Sequence, residues 1–268
     1  MRPHFDPGFL AGLVFASLVA FFLVGPVILS VLAGVTANYQ RGILESGITL
    51  AWLGRVFELY APTIALSLGI ALATLVATLL LGVPVAYALA KAPGRLARLA
   101  EEALVMPVAI PGIATGLALI LAWGAVGEFR THWTFILVGH VLFTLPFMVR
   151  STLAVILAAK LPALEEAARS LGAGFLARFT TVVLPNAAPG ILAGSLMVVT
   201  LSLGEFNMTL FLHTPFTMTL PVGLADSYAS MRLEIGSAYT LVFLVLLIPL
   251  LVALQWAADR ATGAPSRP

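Results

Sequence analysis

The sequence of 268 residues predicts an all-α integral membrane protein with six transmembrane helices, on three observations. Hydrophobic residues make up 60% of the chain and charged residues only 10%, where a soluble domain carries about a quarter. Six apolar runs each reach the roughly 20 residues that let a helix cross about 30 Å of hydrocarbon with its backbone hydrogen bonds made internally. The runs are unbroken, whereas a membrane barrel would show alternation in segments of about ten residues.

The spans are expected at residues 9–35, 62–90, 103–126, 133–158, 188–212 and 237–258, within one transmembrane domain over 1–268 and with no soluble domain beside it. The first follows Arg2 and His4 as a signal peptide would. It is longer than an ordinary signal-peptide core and lacks a clear small-residue cleavage site, so it is expected to be retained. With the N-terminus inside, the cytoplasmic segments carry Arg2, Lys91, Arg95, Arg98, Lys160, Arg169, Arg178, Arg260 and Arg267, and the outer ones carry Arg41, Arg55, Arg130 and Arg232. Nine cations against four follow the positive-inside rule and put both termini in the cytoplasm. Arg150, in the inner half of the fourth span, is expected to snorkel to the inner surface. These charges form no single basic patch, so no nucleic-acid partner is expected. The absence of cysteine excludes disulfides, thiolate catalysis and cysteine metal sites.

Between the first two spans, Trp52, Leu53, Val56, Phe57 and Tyr60 stand at helical spacing around Arg55 and Glu58, the pattern of a helix lying along the outer interface. Residues 213–236, rich in Pro, Thr and Met, read as an outer loop. Small residues recur every fourth position at Ala65, Gly69, Ala73 and Ala77, at Gly112 and Gly116, and at Gly190 and Gly194, as seams where helix backbones approach closely.

The longest cytoplasmic segment, about 159–187, reads as two helices. Pro162 suits a first turn, Glu165 and Glu166 follow near the positive end of the dipole, and Gly172 supplies a left-handed stop. A second helix is expected from about Phe175 to Leu184, where Pro185 breaks it before Pro189 opens the fifth span. From pattern alone this pair is as readily an interfacial connector as a docking element.

Glu166-Ala167-Ala168, Gly172 and Val182-Val183-Leu184-Pro185 resemble the EAA loop of binding-protein-dependent ABC importer permeases: Glu-Ala-Ala, three residues, Gly, nine residues, then Ile-x-Leu-Pro. Val182 in place of Ile is the one departure, and it keeps a β-branched side chain. The likeness extends to Met106–Gly112 and Leu201–Phe206, where the chain is most similar to spermidine/putrescine-type permeases and also to phosphonate, ferric-iron and sulfate or molybdate permeases.

That resemblance implies a type I ABC importer permease bundle in a bacterial or archaeal cytoplasmic membrane, forming half of a pathway for a small polar or charged solute, with a polyamine favoured. It implies a coupling helix made of Ala163, Leu164, Glu165, Glu166, Ala167, Ala168, Arg169, Ser170 and Leu171, closed by Gly172 and seated on a separate ATPase, with Glu166 as its polar contact. The implied partners are two ATPase subunits, a second permease that is homologous or identical, and an extracytoplasmic solute-binding protein. ATP and Mg would be held by the ATPase; the chain itself is expected to bind no cofactor or metal and not to be an enzyme.

Leu201–Phe206 faintly mimics an ABC signature, but the sequence has no phosphate-binding loop and the segment lies in an apolar run. Ionisable groups at mid-membrane cost about 2.5 to 3.5 kcal/mol on insertion scales, so each is a pathway candidate. Glu205, with Ser202 and Asn207 beside it, reads equally as a pathway carboxylate or a paired structural one, and His140 reads first as a helix–helix hydrogen-bonding residue. A redox-complex anchor would need paired axial histidines, and only His140 is well inside a span. An ion-driven secondary transporter would bring internal repeats, of which the halves give no convincing sign.

Overall fold

The computed structural model describes residues 7–43, 45–92 and 94–262, and Arg2, His4 and Arg267 lie outside them. Among the described residues five helices are long and apolar enough to cross a membrane, or six if one bent pair counts as a span. The all-α expectation holds, but several boundaries move.

The first run forms α1 (Pro7–Gly34). The second helix, α2 (Ala51–Lys91), has 41 residues, and at about 1.5 Å of rise per residue it is roughly 60 Å long. Residues 51–61 are therefore its first turns and not a separate interfacial helix. Part of their apolar face is buried in protein, with Val56 and Tyr60 covered, whereas Phe57 is exposed. Tyr60 stacks on Tyr239 at 4.8 Å and hydrogen-bonds Asp226 at 3.3 Å. Pro62 and Pro84 both lie inside this helix, since neighbouring groups in a bundle can take up the backbone bond each proline removes.

The third span is broken. The helix α3 (Gly94–Ala109) meets α4 (Gly112–Trp123) at a bend of 102°. Pro111 disfavours the helical conformation at Ile110, and with ψ at 135° it begins α4 as an extended cap.

The fourth span is α5 (Trp133–Ala158), followed by the short α6 (Leu161–Ser170). Next come α7 (Phe175–Arg178), a π-helical turn over Phe179–Val183, and α8 (Leu184–Gly204). These three join as one apolar helix, Phe175–Gly204, so Pro185 does not break the chain. It falls in the first turn of α8, just after the π-helical register shift, where a missing N–H is least costly. The fifth span also ends earlier than 212. Glu205 is extended, and α9 (Thr209–Leu212) is a separate turn. Residues 213–236 are not a loop throughout, because they contain α10 (Leu220–Ala229) ahead of α11 (Leu233–Thr262).

Packing divides the chain into two units, Met1–Ala61 with Leu224–Val245 and Pro62–Gly223 with Leu246–Pro268. In the first, Gly34 sits so close to the start of α11 that a Cβ there would lie 2.5 Å from the Ala238 amide nitrogen. In the second, α5 and α8 make the central seam. A Cβ on Gly190 would meet the Ser151 carbonyl oxygen at 2.5 Å, and one on Gly194 would run into Ser151 Oγ. Gly112 and Gly116 pack on the segment around Met208, so this ridge too is satisfied within the chain. Gly69 has nothing within 4 Å, and the start of its ridge is exposed.

Candidate functional site

The helix α6 stands between two left-handed residues, Lys160 at φ 50° before it and Gly172 at φ 87° after it. Pro162 occupies its first turn, where a missing N–H has no helical partner to lose. The amide of Gly172 bonds the Arg169 carbonyl and that of Ala173 bonds the Ala168 carbonyl, which closes the helix as the spacing predicted.

Leu161 is buried in a core with Ala86, Val149, Leu153, Ile156 and Ala187, so one end of α6 is anchored against α2, α5 and α8. The other faces are open. Ala163, Leu164, Glu166, Ala167, Arg169, Ser170, Leu171 and Gly172 are exposed and Ala168 is half-buried. Glu166 makes only a loose contact with Arg169, at 3.6 Å, with both side chains 67% exposed.

Glu165 differs from its neighbours, because it is buried and does not belong to the exposed surface. Its carboxylate lies 2.7 Å from Lys91 Nζ and accepts hydrogen bonds from the Tyr87 hydroxyl at 2.8 Å and Arg178 Nε at 3.2 Å. Lys91 also donates to the Tyr87 hydroxyl. Arg178 Nη1 donates to the Ala173 carbonyl at 2.7 Å, so one guanidinium ties the carboxylate to the turn after α6. Tyr87 packs against Phe179 at 5.2 Å and Phe175 at 6.3 Å, which shields the cluster. Burial alone would raise the Glu165 pKa. The hydrogen bonds from Lys91, Tyr87 and Arg178 outweigh it and hold the carboxyl below its ordinary value. Along the sequence, Lys91 and Arg178 read only as topology charges. Nothing in their spacing pairs them with a residue in a different helix.

The pathway candidates come together at the far end of α8. Glu205 caps α9: one carboxylate oxygen accepts from the Met208 amide at 2.8 Å, and the other accepts from the Thr209 amide at 2.8 Å and from the Thr209 hydroxyl. His140 is 2% exposed and lies 2.8 Å from Ser202 Oγ and 2.9 Å from Thr209 Oγ1. Because the Thr209 proton goes to Glu205, its oxygen accepts from His140, which places a proton on Nε2. His140 and Ser202 are therefore buried partners joining α5 and α8 to α9, and Ser202 lines no open space. Arg130, counted above only as an outer charge, holds the other end of α9 by donating to the Leu212 carbonyl at 2.7 Å and the Phe211 carbonyl at 3.0 Å.

Asn207 is exposed. With the edge of Glu205 it borders a cavity of about 210 Å³ at the α3–α4 break, lined also by Pro107, Pro111, Thr115 and Phe143. Arg150 is exposed on α5.

Residues 79–262 match the profile of the family described as "Binding-protein-dependent transport system inner membrane component". The molybdenum transport system permease protein ModB of Mycobacterium tuberculosis is 32% identical over 224 residues, covering 75% of this chain and 80% of the relative. A relative named for 2-aminoethylphosphonate transport, PhnV of Salmonella typhimurium, is 27% identical over 253 residues, 93% of this chain and 94% of its own. The spermidine/putrescine transport system permease protein PotB of Escherichia coli is 29% identical over 218 residues, 75% and 79% of the two chains. In fold, the chain is similar to one in the crystal structure of a bacterial alginate ABC transporter in complex with an alginate pentasaccharide-bound periplasmic protein, with a TM-score of 0.75, 17% identity and 94% of each chain covered.

Proposed function

Because this chain belongs to the family of inner membrane components of binding-protein-dependent transport systems, we propose that it forms half of a solute pathway whose motion is driven through α6 by a separate ATPase. One observation carries the coupling part: α6 is rooted in the core by Leu161 and Glu165, yet presents Ala163, Ala167, Leu164 and the carboxylate of Glu166 outward. A helix with small residues on its open face enters a groove closely, and a helix rooted at its base transmits the groove's movement as a rigid body. In this reading α6 lies in the cytoplasm beside the basic segments around Lys91, Arg95 and Arg98, and both termini are cytoplasmic. Two ATPase subunits, a second permease and an extracytoplasmic binding protein complete the transporter. ATP is hydrolysed in the ATPase subunits.

For the solute, a small oxyanion or phosphonate now fits better than a polyamine. Glu205 is the carboxylate that would meet a cationic solute, and its oxygens are taken by two amides and a hydroxyl of the chain. The likeness to ModB and PhnV points the same way, while the likeness to PotB keeps spermidine in the test. The test is reconstitution in proteoliposomes with its ATPase and binding protein, with ATP-dependent uptake of molybdate, 2-aminoethylphosphonate and spermidine measured in parallel. Uptake of spermidine alone overturns the solute reading. ATP-independent uptake by this chain alone, driven by an ion gradient, overturns the whole of it.

A further inference from the structure

We infer that Glu165 is a positioning residue that binds α6 to the Lys91 end of α2, so that a displacement of α6 is delivered to α2 as well as to α8. This rests on the reading of α6 as the coupling element. Along the backbone α6 is joined to α5 through Lys160 and to α7 through residues 171–174, and both connections contain a left-handed residue that can act as a pivot. Nothing in the chain order joins α6 to α2. The polar link is the Glu165 carboxylate, which meets Lys91 and Tyr87 from α2 on one side and Arg178 from α7 on the other. Removing the carboxylate leaves two cations facing each other across a buried site, which drives the elements apart, whereas loss of an exposed pair such as Glu166–Arg169 changes little.

The geometry makes α6 and α2 a single moving body with the Phe175–Gly204 helix. An ATPase acting on α6 then turns two spans of the pathway at once, and the short pivots at Lys160 and Gly172 do not absorb the stroke.

The chain contains no cysteine, so a single Ala167→Cys variant carries a nitroxide label on the exposed face of α6 without further engineering. Electron paramagnetic resonance of this variant in lipid nanodiscs, with no ATPase present, is expected to give a restricted spectrum. Adding Glu165→Gln or Lys91→Met converts most of the signal to a mobile component, and the double variant adds little to either single, since both remove the same tie. A label that stays restricted in both single variants overturns the tie.

A pH series on the parent label reads the same contact should a variant fail to fold. The titratable and charged groups facing Glu165 are Lys91 and Tyr87 of α2 and Arg178 of α7, and the two cations, Lys91 and Arg178, keep their charge throughout acid titration. Because the folded Glu165 pKa is depressed, the tie is complete above the ordinary value of 4.5 and is lost only as the pH falls through the lower folded value. Mobilisation with a midpoint at or above 4.5 overturns it. In the assembled transporter, Glu165→Gln is expected to raise the ATP hydrolysed per solute imported several-fold while ATPase binding persists. A mobile label with an unchanged ratio overturns the delivery to α2. Failure of the ATPase to bind α6 in the parent overturns the coupling reading instead and leaves the label result standing.

Discussion

Glu165 and Glu166 are consecutive residues on α6, yet the first side chain is 4% exposed and ion-paired with Lys91 and Arg178, while the second is 67% exposed and nearly free. A helix turns by about 100° per residue, so two adjacent carboxylates can serve a core and a surface at once. This separates two roles that share a charge and a residue type. Glu165 fixes the helix, and Glu166 is available to a partner.

Replacing Glu166 with Lys is therefore expected to abolish uptake by the reconstituted transporter and the stimulation of its ATPase, while the chain inserts in the membrane in normal amount. Its exposed position puts the effect on folding within about 0.5 kcal/mol. Unaltered uptake and stimulation would remove Glu166 from the coupling contact.

Gly172 gives a second handle on the same helix. Its φ of 87° is a conformation that a β-branched residue resists, with nothing within 4 Å to blame for a steric clash. Gly172→Val should cost about 1 to 2 kcal/mol of local stability and misdirect the end of α6. Thermal unfolding of the purified chain should shift only slightly, while coupled ATPase activity falls at least tenfold. A variant with full coupling would show that the stop at Gly172 is dispensable.

The short α6 and its stops were legible because they depend on local chemistry: a first-turn Pro162, a left-handed Gly172 and acids near the N-terminus. The spans were legible because hydrophobic length leaves little choice in lipid. The departures share a different cause. Whether Pro185 breaks a helix depends on the π-helical turn before it, and whether residues 51–61 lie on the membrane depends on Tyr60 meeting Tyr239, which is 179 residues away. The break at Ile110 did have a local sign, since Pro107 and Pro111 flank it, but the apolar content hid it. The Glu165 cluster joins residues from three helices, and no window along the chain contains all of them.

The seams make an opposed pair of predictions. Gly190→Ala puts a methyl 2.5 Å from a backbone oxygen of α5, which cannot rotate away, whereas Gly69→Ala adds one where nothing lies within 4 Å. Overpacking of this kind costs about 1 to 3 kcal/mol, so Gly190→Ala should lower the unfolding temperature of the isolated chain in detergent. Gly69→Ala should leave it unchanged. If both variants unfold alike, close approach of α5 and α8 is not what Gly190 provides.

Glu205 shows how the same carboxylate changes meaning once its partners are known. As an ionisable group in an apolar run it reads as a pathway carboxylate or a paired structural one. As the cap of α9 it neutralises two amide hydrogens that no helical carbonyl can reach, and it orients Thr209 to accept from His140. Arg130 holds the opposite end of that turn, so α9 is fixed by a carboxylate at its N-terminus and a guanidinium at its C-terminus, each favoured by the local backbone dipoles. Glu205→Ala should then destabilise the chain by about 1 to 3 kcal/mol whichever solute is carried, because buried donors lose their acceptor. Glu205→Gln keeps one carbonyl oxygen and should lose less. Thermal unfolding of the purified variants, beside uptake of one anionic and one cationic solute, separates the roles. A cap predicts a fall in unfolding temperature that is greater for Ala than for Gln. A solute counter-ion predicts unchanged unfolding and a selective loss of cation uptake, and that result would return Glu205 to the pathway.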